Sequence, residues 1–208
     1  MMIYLLILFQ VNLSPVARIH YSGGGDWYGN KTTFKNIFRY YEHTFKTKMP
    51  LNEETVKLSE TKLFSYPILY ISGHGNVSFD DQEVNNLRQY LTTGGFLYVD
   101  DDFGIDKAIR RELKKVLPNS EFVELPFGHE IFKYPFSFPK GLPKIHEHAG
   151  GAPVAYGLFY EDRMVVLYTF NTDISDGCED PEIHEDSDEL RLQALKMATN
   201  ILSFALNH

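Results

Sequence analysis

A single cysteine, Cys178, stands among 208 residues, so no intramolecular disulfide can form. That suits a reducing compartment, and equally an exported protein that needs no staples. A basic excess is missing as well. Lys and Arg number 20 against 28 Asp and Glu, a net charge of −8, and no basic stripe exists to neutralise phosphates. General nucleic-acid binding is therefore excluded. No repeat, low-complexity tract or Pro/Ser linker divides the chain, which reads as one domain. No apolar run is long enough to span a bilayer as a helix. Tryptophan is scarce, with one residue, although aromatics reach 14% through Phe and Tyr.

The longest apolar run, Met1–Phe9, is followed by small residues. It suits the h-region of a secretory signal processed near Ser14–Ala17. Residues 1–16 are therefore expected to be a signal peptide or N-terminal anchor, and 17–208 a single α/β domain. The protein is expected to be exported, periplasmic or membrane-associated, with membrane contact only through an uncleaved N-terminus. No Lys or Arg precedes Arg18. The alternative is a cytoplasmic protein whose first residues form a buried strand or helix.

Strand and helix patterns alternate. Ala17–Tyr21, Thr55–Leu58, "PILYIS" (67–72), Phe96–Val99 and Glu121–Leu125 read as strands. Val154–Tyr160 and Met164–Phe170 read as a hairpin around "EDR". Helical spacing marks Thr33–Phe45, Gln82–Leu91, Ile105–Val116 and Leu190–Leu206. This order predicts a three-layer α/β fold. Its sheet is mostly parallel, flavodoxin-like or class I glutamine-amidotransferase-like, with a C-terminal antiparallel hairpin.

In such a sheet the loops after parallel strands meet at one edge, where these folds bind ligands. The unusual residues gather at those loops: "GGGDWY" (23–28), "GHG" (73–75), "DDDFG" (100–104), "PFGHEIF" (126–132) and "NTDISDG" (171–177). The candidate ligand-binding residues are Asp26, Trp27, Tyr28, His74, Asp100, Asp101, His129, Asn171 and Asp173. Each has a structural alternative. Glycines permit tight turns, Asp caps helices, Trp packs, and a histidine can be a satisfied structural group. Three adjacent carboxylates cannot all point one way. One of Asp100–Asp102 should face the cleft, one cap the next helix and one be solvated, with Asp101 favoured for the cleft. The three contiguous glycines lack the spacing of a dinucleotide fingerprint, and Asp26 would repel a phosphate.

In "KIHEHAGG" an extended backbone puts His146 and His148 on one side, as a divalent metal would need. The candidate metal ligands are His74, Asp101, His129, His146 and His148. No cofactor is firmly implied beyond a possible divalent metal. The stretch from Asp173 to Glu189 holds nine acidic residues and no Lys or Arg, without EF-hand spacing. It reads as a solvated acidic loop whose end complements the last helix.

Taken in order, "ARIHYSGGGDWY", "YPILYISGHG", "LRQYLTTGGFLYVDDDFG", "HEIFKYPF", "LPKIHEHAGG" and "DISDGCEDPEIHED" resemble the bacterial domain-of-unknown-function 4159 family, from about Ala17 to the last helix. The resemblance implies a class I glutamine-amidotransferase-like fold and frequent export. It also implies a Trp where Cys178 stands. Glutaminase chemistry itself does not fit. No cysteine sits in a strand–turn–helix elbow, and the late-strand loop Asn171–Asp173 lacks histidine. Carboxylates beside Cys178 would blunt its thiol. Ser72 and Ser78 lie outside any G-x-S-x-G elbow.

The leading expectation is a non-catalytic binding domain for a small polar ligand, such as a glycan piece, or for a cell-envelope protein. The alternative is a metal-assisted hydrolase using the His/Asp cluster. A nucleotide-binding reading, resting on the glycines alone, ranks last.

Overall fold

The computed structural model describes residues 13–101, 103–147 and 150–208. The apolar runs become strands because burial on both faces suits them. Strands β1 (Val16–Ile19), β3 (Ile68–Ile71) and β4 (Phe96–Asp100) are buried at every position. With β2 (Glu54–Val56), β5 (Val123–Glu124), β6 (Val154–Tyr160) and β7 (Arg163–Phe170) they form one sheet, ordered β2-β1-β3-β4-β7-β6-β5. From β2 to β7 the neighbours run parallel, while β6 and β5 are antiparallel additions. The mostly parallel α/β sheet with its late antiparallel hairpin is thus as expected.

Helices α1 (Thr33–Phe45), α2 (Asp81–Thr92), α3 (Asp106–Val116), α4 (Ile174–Gly177), α5 (Pro181–His184) and α6 (Asp188–Asn207) complete the layers. Side chains alternate across the sheet. Ile68, Tyr70, Phe96 and Tyr98 pack with α1 and α6 on one face. Leu69, Ile71, Leu97 and Val99 pack with α2 and α3 on the other. Each fully buried aliphatic side chain contributes about 1.5–3 kcal/mol. Helix α2 starts on a reciprocal cap, in which Asp80 Oδ1 accepts from the Glu83 amide at 2.8 Å and Glu83 Oε2 accepts from the Asp80 amide at 3.1 Å.

Two expectations are revised. The strand expected over Glu121–Leu125 shrinks to Val123–Glu124, whose residues are exposed. It is an edge strand paired only to β6, and short edges limit unwanted strand addition. The acidic stretch is solvated only in its second half, where 181–185 are exposed and Asp188 and Glu189 stand in the first turn of α6 as expected. Ile174 to Glu179 are buried, folded as α4 and the turn after it. Of the expected leader, residues 1–12 lie outside the described residues; in the expected processing region, Ser14–Ala17, Val16 and Ala17 are buried as the start of β1.

Strand β1 lies between β2 and β3, so the chain leaves it in one direction and returns on the other side. The loops after β1 and β3 therefore part at a topological switch point, where open α/β sheets form their crevices.

Candidate metal centre

The two glycine-rich loops are zipped together. The Gly25 amide donates to the Asn76 carbonyl at 3.0 Å, and the Asp26 amide to the His74 carbonyl at 3.2 Å. Those amides are thereby closed to an anion. The close approach explains the glycines. A Cβ on Gly25 would lie 2.7 Å from the His74 carbonyl oxygen. One on Gly73, whose φ is +126°, would lie 2.5 Å from the Tyr21 hydroxyl and 2.7 Å from Asp26 Oδ1. Asp26 then grips the second loop. Its Oδ1 accepts a short hydrogen bond from the His74 amide, and its Oδ2 lies 3.1 Å from His74 Nδ1.

Behind this pair, Arg18 of β1 organises the rest of the first loop. Arg18 is 4% exposed, and its guanidinium bonds Glu53 Oε1 at 2.8 and 3.0 Å. It also donates to the carbonyls of Gly29 and Asn30, each at 2.8 Å. That leaves the Asn30 amide group facing the third component of the edge, Asp176 Oδ1, at 2.8 Å.

Asp176 belongs to α4, which buried polar groups pin beneath the edge. Asp100, at the end of β4 and fully buried, accepts from the Ser175 amide at 2.6 Å and from the Thr169 hydroxyl. Burial pushes the Asp100 carboxyl up to about 7, against the pull of those donors. Tyr70 donates to Ser175 Oγ at 2.6 Å, Thr33 to the Ser175 carbonyl at 2.7 Å, and Asn36 to the Cys178 carbonyl at 3.0 Å. These bonds place Asp176 and Glu179 rather than exposing them.

The result is a His–Asp–His cluster. His146, Asp176 and His184 each present one donor atom, all within 4.8 Å of one another. Asp176 Oδ2 lies 3.5 Å from His146 Nδ1 and 3.8 Å from His184 Nε2. The imidazoles are 5.2 Å apart between ring centres. Outer groups orient the inner ones, as metal sites require. Asp186 straddles His146 Nε2 with both carboxylate oxygens at 3.1 Å. Asn30 holds the far oxygen of Asp176. Two further carboxylates lie on the inner side, against the same nitrogens that face Asp176: Glu179 Oε2 is 3.1 Å from His184 Nε2, and Asp173 Oδ2 is 3.4 Å from His146 Nδ1. Hydrogen bonding to Asp173 and then Asp176 raises His146 to about 10, so a proton on His146 offsets this negative charge. Two imidazoles with a carboxylate suit Zn²⁺ or another first-row divalent ion. Such an ion would displace that proton.

The expected site residues are divided by the fold. Asp26, His74, Asp101, Asn171 and Asp173 do lie at the C-terminal edge. Trp27 stacks on His20 with ring centres 4.0 Å apart, and Tyr28 is exposed. Asp100 is an anchor for α4 and reaches no cleft. Asn171 accepts from Lys144 Nζ at 2.6 Å, bracing the turn after β7. His129 is at the opposite end of the sheet. It lines a cavity with Gly94 and Arg163 and lies 5.6 Å from the Phe204 ring, so it is neither an edge ligand nor a partner of His146. His74 and Asp101 fall outside the His–Asp–His cluster. His148 and Asp102 lie outside the described residues. Of the metal ligands expected from sequence that are among the described residues, His146 alone is in the cluster. Its partners Asp176 and His184 were missed because the acidic stretch read as solvated. The signal was present as a histidine inside "EDPEIHED". Cys178 is fully buried, and burial pushes its thiol up, away from nucleophilic use.

Residues 15–206 match the family described as "Domain of unknown function (DUF4159)". The chain belongs to that family. A search of curated proteins finds no match. Membership covers the whole described sheet and both glycine-rich loops, so the strand-edge arrangement is a feature of a DUF4159 domain. Among the described residues no helix is long and apolar enough to cross a membrane.

Proposed function

We propose that this DUF4159 domain binds a divalent transition-metal ion through His146, Asp176 and His184. The observation that carries the reading is the convergence of three donor atoms within 4.8 Å, two of them braced from behind: Asp176 by Asn30 and His146 by Asp186. Metal analysis of the purified protein tests it. The expected result is about one Zn²⁺, Mn²⁺ or Fe per chain, with a chelator lowering the melting temperature. Absence of stoichiometric metal, with melting unchanged by chelator and by added Zn²⁺, overturns it. The expected role is binding, and a polar ligand at the same edge could complete the coordination. Export through the N-terminal apolar run is part of the proposal. A native chain whose sequenced N-terminus is Met1 counts against cleavage.

One observation favours metal-assisted hydrolysis as a second reading. His74 is oriented through Nδ1 by Asp26, which leaves Nε2 available as a general base or acid. The first loop that carries Asp26 also carries Asn30, the support of Asp176. Under this reading the Zn²⁺-loaded protein hydrolyses activated esters or phosphoesters. His74→Ala then lowers kcat by about 10²-fold or more without changing metal content. Turnover that is absent, or indifferent to His74, removes the hydrolase reading and leaves metal binding intact.

A further inference from the structure

Beside the metal centre lies a separate cavity of about 400 Å³, between the turns that follow β4 and β7. Asp101, Phe103, Asp106, Lys107, Phe170 and Asp173 line it. Asp101 is 4% exposed, and its Oδ1 is buried with no hydrogen-bond partner among the described residues. A buried carboxylate oxygen in that condition is costly, and a donor arriving from a ligand removes the cost. The other two carboxylates are already engaged. Asp106 Oδ1 accepts from Arg110 Nε at 2.6 Å and from the Tyr168 hydroxyl at 3.0 Å, while Asp173 faces His146. Asp101 itself interacts with the Tyr168 hydroxyl and the Ile105 amide, so the demand left to meet is at its Oδ1.

The walls decide what kind of donor fits. Phe103 and Phe170 offer aromatic surface on a cavity whose acidic groups outnumber its one lysine. Aromatic faces and a buried carboxylate together attract a cation. Two features pull the other way, the N-terminus of α3 and Lys107. A helix end carries about half an elementary charge, and Asp106 already occupies the first turn of α3. Lys107 is exposed, so its charge is screened by water. The carboxylates outweigh both.

We infer that this cavity binds a small organic ammonium, a primary amine on an apolar body. The ammonium would donate to Asp101 Oδ1 and the body would lie against Phe103 and Phe170. The site adjoins the metal centre, sharing Asp173 as a wall, and does not depend on its being filled.

The test titrates the full-length, chelator-treated protein with benzylamine and with benzyl alcohol, followed by calorimetry or NMR shifts. Chelation prevents the amine from coordinating a metal. Saturable binding of benzylamine is expected, with benzyl alcohol at least tenfold weaker. Asp101→Asn should weaken benzylamine by at least about 30-fold, the effect of removing one partner of a buried charge pair. Phe103→Ala, at an exposed position, should weaken it several-fold. Equal binding of the alcohol, preference for benzoate, absence of saturation, or full binding by folded Asp101→Asn each overturns the inference. If Asp101→Asn does not fold, the amine–alcohol preference together with Phe103→Ala still decides. Loss of metal by His184→Ala with amine binding retained would show that the two sites fail or stand separately.

Discussion

His74 meets Asp26 at 3.1 Å with its side chain 53% exposed, whereas His146 meets Asp173, Asp176 and Asp186 at 3.1–3.5 Å with its side chain 19% exposed. Both pairs stand on the same edge of the sheet. They differ in how the carboxylate is held. Asp26 sits on a surface loop and is held chiefly by the neighbouring turn. Asp176 sits on a helix pinned by Asp100, Thr33 and Tyr70 through buried hydrogen bonds. Exposed ion pairs contribute little, about 0–1 kcal/mol, because water screens them and their side chains stay mobile. Partly buried donors that are fixed from behind cannot relax away from one another. The lone pairs they turn toward one point are then available to a cation once the His146 proton leaves.

The comparison is most severely broken by removing the anchor. Asp100→Ala leaves the Ser175 amide without its acceptor inside the core. It should cost about 2–4 kcal/mol in denaturant unfolding and weaken metal binding at a distance, whereas the His74 pair should be untouched. Asp100→Asn keeps an acceptor for Ser175 and can donate to the Thr169 hydroxyl, so it should be far milder. It also isolates a pH effect. The folded carboxyl titrates near 7, above its unfolded value of 3.8, so the folded state holds the extra proton between those values. Stability from this group is therefore full below about pH 4 and falls as pH rises towards 7. Urea melts from pH 4 to 8 should show that slope in the parent and a flatter profile in Asp100→Asn. Parallel profiles would sink the assignment.

Next in size is the ligand itself. His146→Ala or His184→Ala should weaken Zn²⁺ at least about 100-fold by calorimetry, beyond the 10–100-fold effect of outer groups. His74→Ala should leave Zn²⁺ affinity within about twofold and stability within about 0.5 kcal/mol. A reversal of those two results would move the metal centre to the glycine loops.

Asn30→Ala probes the outer hydrogen bond to Asp176 and should lower Zn²⁺ affinity about tenfold, with about 1 kcal/mol lost in unfolding because Asn30 holds a φ of +53°. An unchanged affinity would show that Asp176 is held by α4 alone.

On metal affinity the smallest expected effect belongs to a change that acts on the exposed member of the comparison alone. Gly73→Ala combines a positive φ with a collision at Asp26 Oδ1. It should cost about 1–3 kcal/mol and separate His74 from Asp26, seen as a change in the His74 NMR titration. Metal affinity should not follow.

The apolar runs 68–71 and 96–100 and the helical spacing of 33–45 were legible because strand and helix periods are local properties of the chain. The convergence of "GGGDWY" with "GHG" was legible too, since loops after neighbouring parallel strands must leave at the same edge. His146 was visible as half of an HxH pair, but its structural partners are 30 and 38 residues away along the chain, at Asp176 and His184. No local pattern encodes that meeting. It follows from Asp100, Tyr70 and Thr33, in three different elements, converging on Ser175. His129 failed for the same reason in reverse. Its loop follows a strand in sequence, yet the chain after the short edge strand turns back to pack Ile131 and Phe132 with α6. Sequence alone therefore determined the sheet, the layers and the edge at which chemistry gathers, because burial periodicity acts residue by residue. Only the tertiary structure decided which histidine meets which carboxylate, because that depends on long-range hydrogen bonds closing an acidic segment that hydropathy reads as solvent-exposed.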